Sequence, residues 1–288
     1  MKKMIRYIEE RCVSRKRSAT HHPRGGLPSI TLAVALGASL PLGSRAAEIL
    51  VPSDAIATIQ QAVDAAAPGD TIKVLPGTYD ESVFVGTAGV KLEAETEAGP
   101  VAVTGFLVLA DDVGIKGFAV GSDGITMIDS TGGRVSNNSV STGGIGIFVL
   151  DSPGSQIDNN ALEADSGVWV SSCAGARVNQ NKADAAYIGI YVEDSFGARI
   201  DHNRVAGRDS AGISIWSSSG GRVEYNHAEG PHGIEVAGES CGNAFEHNEG
   251  VGSLFGLYSE DSPDAPCNSY SKNAAATAFP SLKFWGAK

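Results

Sequence analysis

The chain has 288 residues, a formal net charge of −11 and 42% hydrophobic residues. Residues 1–46 hold nine of the Lys/Arg and two of the Asp/Glu side chains, so the rest carries 13 basic and 31 acidic groups, a net charge of −18. A surface of that sign repels phosphate backbones, which argues against nucleic-acid binding, and it disfavours a polyanionic glycan unless a cation bridges the two.

Residues 1–46 read as a leader. A basic stretch precedes an apolar run of thirteen residues from Thr31 to Gly43, and Ser44-Arg45-Ala46 supplies small residues before a cleavage point near Ala47. The run falls short of the roughly 20 residues that a membrane span needs. An exported protein that does not span the membrane, periplasmic or secreted, is expected.

Ser53 to Ala67 has the marks of a short helix: Ser53 or Asp54 can cap it, Ile56, Ile59 and Val63 share one face, and Pro68-Gly69 ends it. Laid across the open end of a strand stack, such a helix would cover unpaired edges. Thr71-Ile72-Lys73-Val74 then begins a coil. Residues 47–82 are therefore expected to form a helical cap and first coil. Residues 83–288 should supply the other coils, with Phe279, Phe284 and Trp285 covering the far end.

The rest is periodic. Asn138, Asn160, Asn181, Asn203, Asn226, Asn248 and Asn273 follow one another at steps of 22, 21, 22, 23, 22 and 25 residues. An apolar residue stands three places before each, from Val135 and Ile157 to Phe245 and Tyr270. A second register, Gly-Ile-x-Val or a close variant, begins at Gly124, Gly146, Gly167, Gly189, Gly212, Gly233 and Gly256. A fixed period of this size marks supersecondary units that stack to share one core. Short strands divided by Gly, Asn and Ser turns make that stack an all-β parallel β-helix, of about nine coils at this period. Inward asparagines can satisfy one another coil upon coil, so these seven are expected to be structural.

Cys241 lies seven residues before Asn248 and Cys267 six before Asn273, which gives them nearly the same place on adjacent coils. Coils about 4.8 Å apart bring such a pair within disulfide reach. Cys173, three coils away, should remain a packed free thiol.

Strand alternation turns the Ile and Val of Gly-Ile-x-Val inward and the residue between them outward. That outward column reads Thr126, Phe148, Trp169, Tyr191, Ser214, Glu235 and Tyr258. Two places further on come Leu150, Ser171, Glu193, Trp216, Ala237 and Glu260. Rings in a row offer a flat platform for the C–H faces of sugars, although aromatic ladders also stabilise sheets by cross-strand packing. Phe148, Trp169, Tyr191, Trp216 and Tyr258 are the candidate sugar contacts. Glu235, His232 and Glu260 are the candidate catalytic groups, because Cα atoms roughly 8 Å apart for Glu235 and Glu260 are compatible with an inverting glycosidase. Turn carboxylates such as Glu193 and Asp194 could hold calcium, and no other cofactor is required. His202 and His247 stand two coils apart, near 10 Å, with His227 across the turn, so no three imidazoles converge on one copper or zinc ion.

The Arg199-Ile-Asp-His-Asn203 repeat followed by Gly212-Ile-Ser-Ile resembles the right-handed parallel β-helix of the pectin-lyase-like superfamily, in its carbohydrate-binding and sugar-hydrolase form. The opening Ala57-Thr-Ile-Gln-Gln-Ala-Val-Asp64 with Pro68-Gly-Asp-Thr-Ile-Lys-Val-Leu-Pro-Gly-Thr-Tyr79 is similar to the start of many members. The periplasmic copper-accessory protein of nitrous oxide reductase shares this repeat type. The resemblance implies a right-handed, single-domain solenoid with any substrate cleft along the sheet that bears the aromatic column. The enzymes' own motifs are mostly missing: the coil at Ser210-Ala-Gly-Ile lacks paired aspartates, and Glu260-Asp-Ser-Pro-Asp264 lacks a histidine. The expectation is a monomeric polysaccharide- or oligosaccharide-binding protein. A polysaccharide hydrolase, lyase or epimerase and a periplasmic accessory factor with a protein partner are the alternatives.

Overall fold

The computed structural model describes residues 46–261 and 266–277, which fall in one compact unit. The leader and the expected end cap of Phe279, Phe284 and Trp285 lie outside the described residues. Every strand pairs in parallel with its counterpart from the coil before or after, building one sheet of eleven strands and one of twelve. From Arg134 onward each coil crosses the first sheet in a short strand such as Arg177–Asn179, turns at an asparagine, and crosses the second in one or two strands such as Lys182–Glu193. This is the right-handed parallel β-helix expected. It has about ten coils rather than nine. The extra coil comes from the N-terminal third, where Thr71–Val74, Lys91–Ala94 and Gly114–Lys116 all enter the first sheet without an asparagine to mark them.

The core follows from what each short strand can bury. Three residues give one inward position, and Val135, Ile157, Val178, Ile200, Val223 and Phe245 stack there in register, at most 1% exposed. Ile147, Val168, Ile190, Ile213 and Ile234 form the opposite wall. Burying each such side chain contributes about 1.5–3 kcal/mol.

Two polar ladders fasten the turns. The backbone N–H of Asn160 donates to Oδ1 of Asn181 at 2.9 Å and its Nδ2 to the same oxygen at 3.0 Å. The same arrangement links every neighbouring pair from Asn138 to Asn273. The residue before each asparagine is driven to positive φ, for instance His202 at 58° and Tyr225 at 56°, a conformation disfavoured in L-residues. The second ladder runs through Ser130, Ser152, Cys173, Ser195, Ser218 and Ser240, each N–H donating to the next side chain at 3.0–3.3 Å. Cys173 is thus the free, buried thiol expected, but it is also a rung. Burial pushes its pKa up to about 11.

The cap helix is shorter than its hydrophobic spacing suggested, spanning Ile59–Ala65. Ser53 is spent in a turn with Ile56, and Thr58 caps the helix instead, its Oγ1 accepting from the N–H of Gln61 at 3.1 Å. Glu81 accepts from the N–H groups of Ile59 and Gln60 at 3.0 and 2.9 Å. The Gln60 carboxamide pairs with both N–H and C=O of Phe84 at 2.8 and 3.1 Å, as a neighbouring strand would.

Candidate functional site

The outward column of the second sheet has the register the sequence placed, from Thr126 through Phe148, Trp169, Tyr191, Ser214 and Glu235 to Tyr258. It also continues upstream to Leu107, where Gly105 stands level with Gly124, and to Phe84, where Ser82 takes the place of the glycine. The rings do not lie flat. Phe148 and Trp169 meet at 81° with centroids 5.9 Å apart, and Trp169 and Tyr191 at 78° and 5.1 Å. Edge-to-face contact satisfies the ring quadrupoles but divides the platform into separate faces.

Polar groups fix these rings. The indole Nε1 of Trp169 donates to Oε1 of Glu193 at 3.0 Å. Burial first, and then the Glu193 carboxylate, raise the pKa of Tyr191. Trp216, level with Glu193, is 43% exposed. It lies across Gly238, where a Cβ would come within 2.7 Å of the indole and φ is 64°. Only glycine leaves that seat open.

At the C-terminal end His232 and Glu235 come together, Nδ1 to Oε1 at 3.3 Å, with 22% and 21% of their side chains exposed. The His232 ring stacks on Tyr258 at 5.0 Å and 13°, and Phe255 closes the group at 5.7 Å from His232. Phe255 lies in the strand Glu249–Ser259 beside a register shift that breaks the repeat, so nothing in the sequence singled it out. Glu260 is turned elsewhere: its carboxylate accepts the N–H of Gly238 at 3.0 Å. The geometry therefore offers Glu235 an imidazole partner rather than the second carboxylate envisaged. One carboxylate beside one imidazole can move a proton, as general acid–base chemistry requires.

The expected disulfide joins Cys241 and Cys267, with Cα atoms 5.2 Å apart. Glu193 is engaged by Trp169, while Asp194 stands exposed in the following turn. Among the described residues no group of three His, Cys, Asp or Glu side chains is placed to share a metal ion. His202 and His247 stack on opposite faces of Tyr225, at 5.1 and 4.7 Å. His227 is clamped between Glu249 at Nδ1, 2.7 Å, and Glu229 at Nε2, 2.5 Å. Because those carboxylates meet opposite ring nitrogens, they cannot close with the imidazole on one ion. No helix among the described residues is long and apolar enough to cross a membrane.

Residues 89–276 match the NosD family, described as periplasmic copper-binding protein. No curated protein sequence matches the chain. Similar solved structures include a pectin methylesterase from Aspergillus niger, 14% identical with a TM-score of 0.44 over 77% of this chain and 89% of that one. An alginate lyase from a Paenibacillus species is 15% identical, TM-score 0.43, over 79% and 99%. The Streptococcus pneumoniae surface protein and adhesin PfbA is 11% identical, TM-score 0.47, over 75% and 92%. At such identities the likeness is one of fold alone. The copper of the family description does not fit the histidines, cysteines and carboxylates as they stand, because among the described residues no three of them are placed to share one ion. The family match itself spans most of the chain, and on that ground the protein belongs to the NosD family of periplasmic β-helix proteins.

Proposed function

We propose that this is an exported β-helix protein that binds a polysaccharide or oligosaccharide along the outer face of its second sheet. The observation that carries this reading is the exposed Trp216 ring beside Glu193, which in turn anchors Trp169 against Tyr191. Rings held before a ligand arrives lose little freedom on binding, and carboxylate and phenol groups between them can accept and donate to sugar hydroxyls. The basic and apolar leader and the family's periplasmic description support export. Retention on immobilised neutral and acidic glycans, with and without calcium, tests the reading. Trp216→Ala and Trp169→Ala should each weaken retention by about tenfold, or 1.4 kcal/mol. Undiminished retention in both variants would overturn it.

A second reading rests on the His232–Glu235 contact, which suits a hydrolase or lyase acting on the same glycan. New reducing ends or unsaturated products in those tubes would favour it. Glu235→Gln would then abolish turnover while leaving retention intact.

A further inference from the structure

One outward column of the first sheet has an empty place. Lys91, Gly114, Arg134 and Gln156 follow one another in register on successive coils, about 4.8 Å apart. At Gly114 the column carries no side chain, and a groove of about 680 Å³ opens there. The chain does not demand this glycine. Its φ is not positive, and a Cβ would come no nearer than 3.6 Å to the Lys91 side chain, an ordinary contact. Open space is what the glycine supplies.

Three cations surround that space. Lys91 stands one coil before Gly114, Arg134 one coil after, and Lys116 two places along the same strand. Lys91 and Lys116 are exposed, and neither makes a hydrogen bond or ion pair with a described side chain. Arg134 gives one nitrogen to Asp158 at 2.9 Å and stays 57% exposed. Two carboxylates share the groove, and both are drawn aside. Glu93 accepts from Lys73 at 2.7 Å, and Asp112 lies over Gly132, where a Cβ would come within 2.5 Å of its Oδ1. The bond from Lys73, and behind it the charges of Lys116 and Lys91, hold the Glu93 carboxyl below its usual range. Both ammoniums are therefore felt across the same groove. Ser136, level with Lys116 and 5% exposed, also lines it, and its hydroxyl meets no described partner.

We propose that the socket over Gly114 binds a phosphate group, as the free ion or at the end of an ester. Cations on three sides can each meet a separate oxygen of a tetrahedral anion, whereas a flat carboxylate offers only two. The lysines act as point charges, the Arg134 guanidinium as a planar fork, and Ser136 as a neutral donor. The net charge of −18 beyond residue 46 is spread along the whole stack. Its field is screened within roughly 8 Å at physiological ionic strength, so the groups in contact decide. The site lies on the first sheet and does not depend on the glycan reading of the second.

Inorganic phosphate is titrated into the full chain at ionic strength held constant with sodium chloride, and amide shifts are followed by NMR. Saturable shifts should centre on Lys91, Gly114, Lys116 and Arg134. Loss of one charge-assisted hydrogen bond in Lys116→Gln should weaken binding about tenfold. Gly114→Thr fills the socket with a strand-forming residue and should weaken it at least as much. Glycerol phosphate separates the two sources: competition by it assigns the site to an ester, and its failure assigns the free ion. Absence of saturable shifts at these amides in wild type would overturn the inference. So would an affinity unchanged in both variants, or acetate competing as strongly as phosphate.

Discussion

The carboxamide of Asn203 contacts the carbonyls of Val178 and Asp201 and Oδ1 of Asn226 through Nδ2, at 2.9, 3.1 and 2.9 Å. Its own oxygen receives the N–H and Nδ2 of Asn181 at 2.9 and 3.1 Å. Truncation strands two buried donors of Asn181 on the earlier coil and takes a donor from the Val178 carbonyl and from Oδ1 of Asn226, each stranded group costing on the order of 1–3 kcal/mol. Asn203→Ala should therefore lower stability by about 3 kcal/mol, read as a lower urea midpoint. His227 makes a pH-dependent contribution of defined sign. Burial opposes its charge, but hydrogen bonds to Glu229 and Glu249 outweigh that and raise its pKa above the ordinary 6.5. A raised folded pKa stabilises fully below the unfolded value and is lost as pH climbs through the folded one. Urea midpoints taken from pH 6.5 upward should therefore fall more steeply in wild type than in His227→Gln. Parallel curves would remove His227 from the account.

The cap helix has seven residues, too few to stand without docking. Ile59, Ala62 and Val63 pack into the core, and Glu81 and Gln60 tie the helix to the first coils. Glu81→Ala should cost about 1–2 kcal/mol and speed amide exchange in the helix ahead of the coils. Exchange that rises uniformly through the chain would contradict a local role. These elements also mark what the sequence made legible. Repeating Gly-Ile-x-Val strands disclosed the register of Phe148, Trp169, Tyr191 and Glu235, because alternation dictates which side chains face outward. The tilt of the rings was not legible, since it depends on side-chain torsions and on Trp169 finding Glu193 one coil away. Nor was the Thr58 cap, because Ser53 is an equally good capping residue and tertiary contacts decided between them. The His232–Glu235 pair was readable as three residues' separation; its stacking on Tyr258 and Phe255 was not.

A stack in which each coil touches only its neighbours loses stability locally. The Cys241–Cys267 bridge spans a sequence separation of 26 residues, and closing a loop of that size contributes about 3.5 kcal/mol by chain entropy. That stabilisation belongs to the last coils. Reduction should expose the chain beyond Glu239 to protease at temperatures where the Asn138–Asn203 region remains intact, and mapping the first cleavage sites by mass spectrometry checks this. Early cleavage in the central coils would imply that the stack melts as one body.

The asparagine ladder also has a direction. From Asn138 to Asn248 the backbone N–H and Nδ2 both donate to the asparagine oxygen of the later coil, and each Oδ1 receives from the earlier one, beginning with the Phe118 N–H at Asn138. Two such stacks could not be fused end to reversed end, because donors would confront donors. A tandem copy of residues 182–203 placed after Asn203, by contrast, would arrive with its acceptor and donor already matched to the rungs on either side. The molecule is written in whole periods, and its length can grow or shrink by that unit and by no fraction of it.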